Sequence, residues 1–338
     1  STILDGFTIS SGNAMVSSPP YNGGGGMNLI NSSPSINNVK FLNNYGTYGG
    51  GMHTNNSSPV LTNVIFKENT ASEAGAIYTE NNSNIIVNGA TFDQNYSYSD
   101  KGVMANSNSV SNLQNAIFIN NGSGGWSGGI YNDNSDTTLN NTTFKGNSGS
   151  AGGAISNNNN SILMITNSTF ESNNSTDGGA IYNASSYVNI SNSTFYKNDA
   201  TYPNAPSGNG GAIFNSFGEA ILSNVTITEN SAESVPAIAN TGNLGIVTIT
   251  NSIIWGNTGN APQISGSISA SYSIIQGGYT GSSNLNVNPL LGSLANNGGP
   301  TQTMALLTDS PAINAGTNTG CPATDQRGVV RPFGSACD

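Results

Sequence analysis

A repeat of about 26 residues restricts the fold of this chain more than any other feature. A phenylalanine recurs seven times, with gaps of 25, 26, 26, 26, 26 and 25 residues: Phe41, Phe66, Phe92, Phe118, Phe144, Phe170 and Phe195. The register extends backward to Phe7 and forward to Ile227 and Ile254, with longer gaps around insertions such as 202–206. A unit of this length cannot bury its apolar side chains alone, so successive repeats have to stack on one another.

Two further signals recur at fixed offsets from the phenylalanine, which we call the anchor. An asparagine stands three residues before it, as Asn167 does, and another stands three residues after it, as Asn173 does. A Gly-rich motif follows six of the seven anchors, at 49–52, 75–78, 128–132, 152–155, 178–181 and 210–213, and its inward Ile or Met stands eleven or twelve residues beyond the anchor in all but the last of these motifs. Short apolar stretches bounded by Gly and Asn are typical of β-strands.

The sequence therefore predicts an all-β fold, a right-handed single-stranded parallel β-helix (solenoid) of about 10–11 coils. Strands of successive coils would pair in parallel, and their inward Phe, Ile and Val side chains would form continuous columns. Alternation along the strand places Phe170 inside, whereas Thr169 and Glu171 point outward. The corner asparagines tolerate the left-handed backbone region, and their amides can bond from coil to coil as an Asn ladder.

Composition and charge exclude several classes of protein. The chain contains 56 Asn, 47 Ser and 43 Gly, which disfavour helices. The regular spacing of its apolar residues argues against disorder. With seven Lys and Arg residues and a net charge of −10, the chain lacks the basic patch that nucleic acid or anionic lipid requires. We find neither a signal-peptide pattern nor an apolar run of membrane-spanning length, so we expect no membrane insertion.

The two cysteines favour a disulfide. Cys321 and Cys337 lie 16 residues apart near the C-terminus, and His53 is the only histidine, so a zinc site would lack ligands. We expect residues 1–289 to form the β-helix. We expect residues 290–338 to cap its last coil, with Cys321 bonded to Cys337, because an open coil end exposes unpaired strand edges.

The paired motifs carry a resemblance to a group of surface proteins. Gly-Gly-Ala-Ile and Phe-x-x-Asn, each recurring once per coil, are similar to the repeats of the chlamydial polymorphic outer membrane proteins and of other bacterial surface β-helix proteins. The resemblance covers about residues 7–257 and implies a surface-displayed or secreted rod with a role in adhesion. The segments 296–300, 309–316 and 325–328, the last together with Arg331 and Pro332, resemble instead the endings of secreted bacterial β-helix proteins of the choice-of-anchor type.

Catalysis on a β-helix needs clustered carboxylates on neighbouring coils, as in polysaccharide lyases and hydrolases. The outward column after the anchor places Lys67 beside Asp93, and Lys145 beside Glu171. Exposed ion pairs between neighbouring coils explain these charges. We find no three Asp, Glu or Arg residues that would share one face of two neighbouring coils. We therefore expect no catalytic residue, no metal site and no cofactor.

Two outward columns are candidates for ligand binding. The first follows the inward residue of the Gly-rich motif and is rich in rings: His53, Tyr78, Tyr131, Ser156, Tyr182 and Phe214. Such a ladder can stack against sugar rings, but aromatic residues also suit strands in general, and the insertion at 201–209 can lie over them. The second column contains Thr91, Thr143, Thr169, Thr194 and Thr226. A flat Thr array is a conceivable ice-binding face, although Thr is simply favoured in exposed strands and Ile interrupts this array.

These observations favour a non-catalytic extracellular or cell-surface module with an adhesive or structural role. Its partner would be a glycan or the surface of a host or neighbouring cell. The alternative is a carbohydrate-binding or polysaccharide-degrading β-helix that uses the aromatic column. Because the chain starts within a strand, with Phe7 at an open coil end, we also expect either further coils upstream or head-to-tail assembly into filaments.

Overall fold

Each repeat of the sequence forms one coil of a parallel β-solenoid. The computed structural model describes residues 2–15, 23–99, 101–201, 208–242 and 245–337. Every regular secondary-structure element in these ranges is a β-strand. Strands of successive coils pair in parallel and in register, which confirms the predicted fold class. We call the three stacks of strands the long, second and third sheets. The described strands are ten deep in the second sheet.

The long sheet consists of 17 strands: Ile3–Asp5, Thr8–Ser10, Ser35–Asn37, Lys40–Leu42, Val60–Lys67, Asn84–Asp93, Val110–Ile119, Asp136–Asn140, Thr143–Lys145, Ile162–Thr166, Thr169–Glu171, Tyr187–Tyr196, Glu219–Thr228, Ile246–Thr250, Ile253–Trp255, Ile268–Ser271 and Ile274–Ile275. The second sheet consists of Met27–Ile30, Met52–Asn55, Ile77–Glu80, Met104–Ser107, Ile130–Asp133, Ile155–Asn158, Ile181–Ala184, Ile213–Ser216, Ile238–Thr241 and Ile264–Ser265. The third sheet consists of Asn13–Ala14, Tyr45–Tyr48, Thr70–Glu73, Tyr96–Ser97 and Gly122–Ser123, and later coils continue it with Asp199–Ala200 and Ser231–Ala232.

The predicted phenylalanine column forms the core of the solenoid. The seven rings from Phe41 to Phe195 are fully buried. Consecutive rings stack nearly parallel, with centroids 4.2 to 5.2 Å apart. Ring stacking of this kind stabilises the core beyond the burial of area alone.

The first coil departs from the expected register. Phe7 is 57% exposed, and Ile9 pairs with Phe41 instead, so the prediction that Phe7 belongs to the core column is wrong. In most coils the residue three positions before the anchor is an asparagine in the left-handed region, such as Asn38 with φ 52°. In the first coil Gly6 takes that conformation, with φ 74°, and thereby makes Ile9 the anchor.

The two sets of asparagines beside the anchor have different roles. Those before it adopt the left-handed conformation at the corner, with φ between 47° and 54°. Those after it form a buried ladder in which each Nδ2 donates to the next Oδ1 over 2.8 to 3.1 Å: Asn44, Asn69, Asn95, Asn121, Asn147, Asn173, Asn198, Asn230 and Asn257. The predicted Asn ladder is therefore confirmed, and it satisfies buried amides that would otherwise destabilise the fold.

The C-terminal segment contains the expected disulfide between Cys321 and Cys337. It begins with an antiparallel hairpin of Leu291–Ala295 and Thr303–Leu306. We expected this segment to cap the last coil, but it also runs back along the outer face of the long sheet over several coils. Thr301 Oγ1 donates to the Asn167 carbonyl over 2.8 Å.

This packing changes the environment of the threonine column. Thr169 and Thr194 are only 1% and 2% exposed, although their side chains lie on the outer face of the sheet. Thr169 Oγ1 donates to the Gln302 carbonyl over 2.7 Å, and Thr194 Oγ1 donates to Gln326 Oε1 over 2.8 Å. Thr169 points outward as expected, but it is not exposed to solvent, because the non-repeating C-terminal segment covers it and accepts its hydrogen bond.

No helix among the described residues has the length and apolarity that a membrane span requires.

Candidate ligand-binding column

The aromatic column lies on the outer face of the second sheet, as the sequence predicts. Register pairing aligns its members from coil to coil in the order His53, Tyr78, Ala105, Tyr131, Ser156, Tyr182 and Phe214. The preceding residues, such as Met52 and Ile77, belong to the buried core. Because side chains alternate along a strand, the column residues point away from that core.

The Gly-rich motif positions this column. Gly152 and Gly178 adopt φ values of +77° and +63°, a region that disfavours other residues. A Cβ at Gly152 would also collide with the Ile155 carbonyl oxygen. These glycines therefore allow the chain to turn sharply into the strands that begin at Ile155 and Ile181.

A second asparagine ladder lies two residues beyond the inward residue of the motif. It runs through Asn106, Asn132, Asn157, Asn183, Asn215 and Asn240, with Nδ2 to Oδ1 distances of 2.7 to 3.2 Å. The ladder is buried and fixes the spacing of the coils directly below the aromatic column. The strands that carry the aromatic column are therefore held at a fixed spacing by this hydrogen-bonded ladder.

The N-terminal half of the column is packed and largely covered. His53 and Tyr78 are only 6% and 5% exposed. The Tyr48 ring lies 5.3 Å from the Tyr78 ring, centroid to centroid, and 6.0 Å from the His53 ring. The expectation that these two side chains offer an exposed surface to a ligand is not met, because Tyr48 and Lys101 pack against the Tyr78 ring.

Charged groups converge on the same half. Lys101 Nζ lies 2.9 Å from Glu73 Oε2 and donates to the Tyr78 hydroxyl over 2.6 Å. His53 Nε2 lies 3.1 Å from Glu80 Oε1. Residues from three coils thus form a network that the sequence analysis missed.

Three groups of this network, Tyr78, Glu80 and Lys101, have pKa values shifted further from neutral pH. Burial raises the pKa of the Tyr78 hydroxyl, although Lys101 opposes that shift. Burial also disfavours the charge of Lys101, but hydrogen bonds with Glu73 and Tyr78 outweigh it and raise the pKa of the ammonium. The hydrogen bond with His53 lowers the pKa of Glu80. Tyr78 therefore stays neutral and Lys101 and Glu80 stay charged at pH 7, which suits a structural network better than general acid–base catalysis.

The C-terminal half of the column is more open. Tyr131, Tyr182 and Phe214 are half-buried, and the Tyr182 and Phe214 rings stack with centroids 5.4 Å apart. Ser156, which stands between Tyr131 and Tyr182 in the column, carries no ring and is fully buried. Trp126, which is 37% exposed, extends over this region and places its ring 5.7 Å from Tyr182 in an edge-on contact.

Polar groups line this open half. Asp177 accepts a hydrogen bond from the Asn209 backbone over 2.9 Å, and burial raises the pKa of its carboxyl. Burial also raises the pKa of the Tyr182 hydroxyl, against the opposing effect of a hydrogen bond with Ser216. Residues 202–207 of the insertion lie outside the described ranges. A half-exposed aromatic cluster bordered by a carboxylate and a phenol can contact both the apolar faces and the hydroxyls of a sugar.

The two ion pairs expected between neighbouring coils are present. Lys67 Nζ lies 3.0 Å from Asp93 Oδ2, and Lys145 Nζ lies 2.9 Å from Glu171 Oε1. Both lysine side chains are more than 40% exposed. Among the described residues, no group of three His, Cys, Asp or Glu side chains is placed to hold a metal ion.

Trp126 and Lys101 join the column from the stretch between the third sheet and the Gly-rich motif. This is the part of the repeat in which the coils differ in sequence and length, so periodicity could not align them. The only available signal was the rarity of these residues, since the chain has two Trp and seven Lys and Arg in total.

Comparisons with known proteins identify no relative. No protein family matches the chain, and neither a curated protein nor a solved structure resembles it significantly.

Proposed function

We propose that this protein is a non-catalytic extracellular or cell-surface module that adheres to a neighbouring surface by binding glycans. The observation that carries the proposal is the cluster of Trp126, Tyr131, Tyr182 and Phe214, which presents partly exposed aromatic rings on one side of a rigid solenoid. Aromatic side chains supply large contact areas at low entropic cost.

Two further observations support the extracellular and non-catalytic parts of the proposal. The Cys321–Cys337 disulfide is typical of proteins that fold in oxidising compartments. The pKa shifts of Tyr78, Glu80 and Lys101 all point away from neutral pH, so these three groups keep one protonation state there. The resemblance of the repeats to those of bacterial surface proteins agrees with an adhesive role.

A glycan array tests the proposal. We expect the purified wild-type protein to bind a restricted set of oligosaccharides, and the Tyr182→Ala variant to lose that binding. Tyr45→Ala is the matched control, because Tyr45 is 46% exposed but lies in the third sheet, outside the column. Binding to no glycan, or equal loss in both variants, would contradict the proposal.

A further inference from the structure

Each coil places a second position beside the aromatic column. We call it the turn row: the residue that stands four positions before the inward residue of the Gly-rich motif. Backbone contacts align this row from coil to coil, because Ala151 N donates to the Trp126 carbonyl over 2.7 Å and Ala151 pairs in parallel with Asp177. The row includes Tyr48, Glu73, Trp126, Ala151, Asp177 and Asn209.

In the N-terminal half, an ammonium group of the protein itself lies between the turn row and the aromatic column. Glu73 belongs to the turn row, and Tyr78 belongs to the column of the same coil. Lys101, from the next coil, places its Nζ 2.9 Å from Glu73 Oε2 and 4.7 Å from the centroid of the Tyr78 ring. A carboxylate and the face of an aromatic ring both attract a cation. This half therefore contains an ammonium site that the chain fills from within.

The open half repeats the carboxylate and the ring of this arrangement. Asp177 stands in the turn row, as Glu73 does, and is half-buried. Tyr182 stands in the aromatic column of the same coil, as Tyr78 does in its own coil. A Cβ at Gly178 would lie 3.0 Å from Tyr182 N, so the turn that carries Asp177 packs against the strand that carries Tyr182. The Asp177 carboxylate therefore borders the open rings.

A glycine replaces the lysine in the open half. In the coil that follows Asp177, the position of Lys101 is taken by Gly210. Asp177 forms no ion pair within the ranges that the structure describes, and residues 202–207 of the insertion include no charged residue. Burial without a compensating cation accounts for the raised pKa of the Asp177 carboxyl. The open half thus presents the carboxylate and the ring of an ammonium site to an external ligand.

We propose that the open half of the aromatic column binds glycans that carry a protonated amino group, with the ammonium held between the Asp177 carboxylate and the Tyr182 ring. The ammonium of the amino sugar takes the place that Lys101 Nζ has in the N-terminal half. The net charge of −10 also favours a cationic glycan over an anionic one. This inference rests on the proposed glycan binding and adds the charge of the ligand.

Two matched tetrasaccharides test the inference by calorimetry. The tetramer of β-1,4-linked glucosamine has an amino group where cellotetraose has a hydroxyl, and the two share the same backbone. At about pH 6, below the pKa of such amines, we expect the wild-type protein to bind the glucosamine tetramer about tenfold more tightly. Added salt should weaken this preference, because it screens the attraction between the ammonium and the carboxylate.

A pair of variants assigns the preference to one carboxylate. Asp177→Asn removes the charge but keeps an oxygen that can accept the hydrogen bond from Asn209 N. We expect this variant to bind both tetrasaccharides equally, with the affinity of the wild type for cellotetraose. Glu219→Gln is the matched control, because it removes the same charge from an exposed residue of the long sheet and should keep the tenfold preference. Circular dichroism establishes that both variants fold.

The outcomes separate this inference from the proposed function. Equal binding of the two tetrasaccharides by the wild type, or an unchanged preference in Asp177→Asn, would overturn the inference and leave glycan binding intact. Loss of the preference in Glu219→Gln would assign it to the net charge of the chain and would also overturn the inference. If no glycan binds at all, both the inference and the proposed function are overturned.

Discussion

The two halves of the aromatic column differ although they share one repeat position. In the N-terminal half, Tyr78 is 5% exposed and packs under Tyr48 beside a network of charged groups. In the C-terminal half, Tyr182 is half-buried beneath the partly exposed Trp126. The same residue type at the same register thus stabilises the solenoid in one half and offers a surface in the other.

The difference shows where the specificity of a solenoid arises. The strands and ladders repeat from coil to coil, so they place every column residue equivalently. The turns between the third and second sheets do not repeat, and they determine which column residues are covered. We therefore expect functional differences between coils to follow the turn sequences.

The largest expected contrast is in stability. Tyr78→Ala should lower the free energy of unfolding by about 3 kcal/mol, because it removes a buried ring and the hydroxyl that Lys101 contacts. Tyr182→Ala should lower it by only about 1 kcal/mol, because that ring is only partly buried. Urea unfolding followed by circular dichroism measures both values. Equal losses would show that the two halves are packed alike.

A smaller contrast concerns the lysines. Lys101→Met should cost about 2 kcal/mol, because it leaves the Glu73 carboxylate without its partly buried cation. Lys67→Met removes an exposed ion pair with Asp93 and should leave the free energy of unfolding almost unchanged. The same unfolding assay compares them. A Lys67 variant as unstable as the Lys101 variant would refute a special role for the buried network.

The smallest contrast is in pH dependence. The pKa of Glu80 is lowered below 4.5 in the folded chain, so its contribution to stability is present above pH 4.5 and is lost as the pH falls through the folded-state pKa. The pKa of Asp177 is raised above 3.8, so the folded chain binds this proton more tightly and loses stability as the pH rises through the raised value.

Two variants with uncharged side chains separate the two contributions to the pH dependence of stability. Below pH 4.5, the wild type should lose stability faster than Glu80→Gln. Asp177→Asn should gain stability relative to the wild type as the pH rises above 3.8. Unfolding free energies measured from pH 3 to 8 test both signs. If the stability difference from the wild type changed with pH in the same direction for both variants, the assigned environments of Glu80 and Asp177 would be contradicted.

The sequence predicted the interior of the solenoid well. Seven evenly spaced phenylalanines and their flanking asparagines were enough to predict the stacked core and an Asn ladder, because both depend only on the repeat. The first coil was misassigned at Phe7, because Gly6 replaces the asparagine that marks the corner in most coils.

The outer face was harder to predict. Thr143 and Thr169 occupy the same column, yet Thr169 is buried by the C-terminal segment. That contact joins residues more than 130 positions apart in a non-repeating segment, so no local pattern encodes it. Trp126 and Lys101 entered the candidate site in the same way, from turns that the periodicity does not align.

Tryptophan fluorescence tests the central claim that the open half of the column contacts the ligand. Replacing Trp255, the second tryptophan, by phenylalanine leaves Trp126 as the sole reporter. On titration with the oligosaccharide that binds best on the array, we expect a saturable change in Trp126 emission that Tyr182→Ala abolishes and Tyr45→Ala preserves. Heat of binding in calorimetry without any change in Trp126 emission would contradict the account.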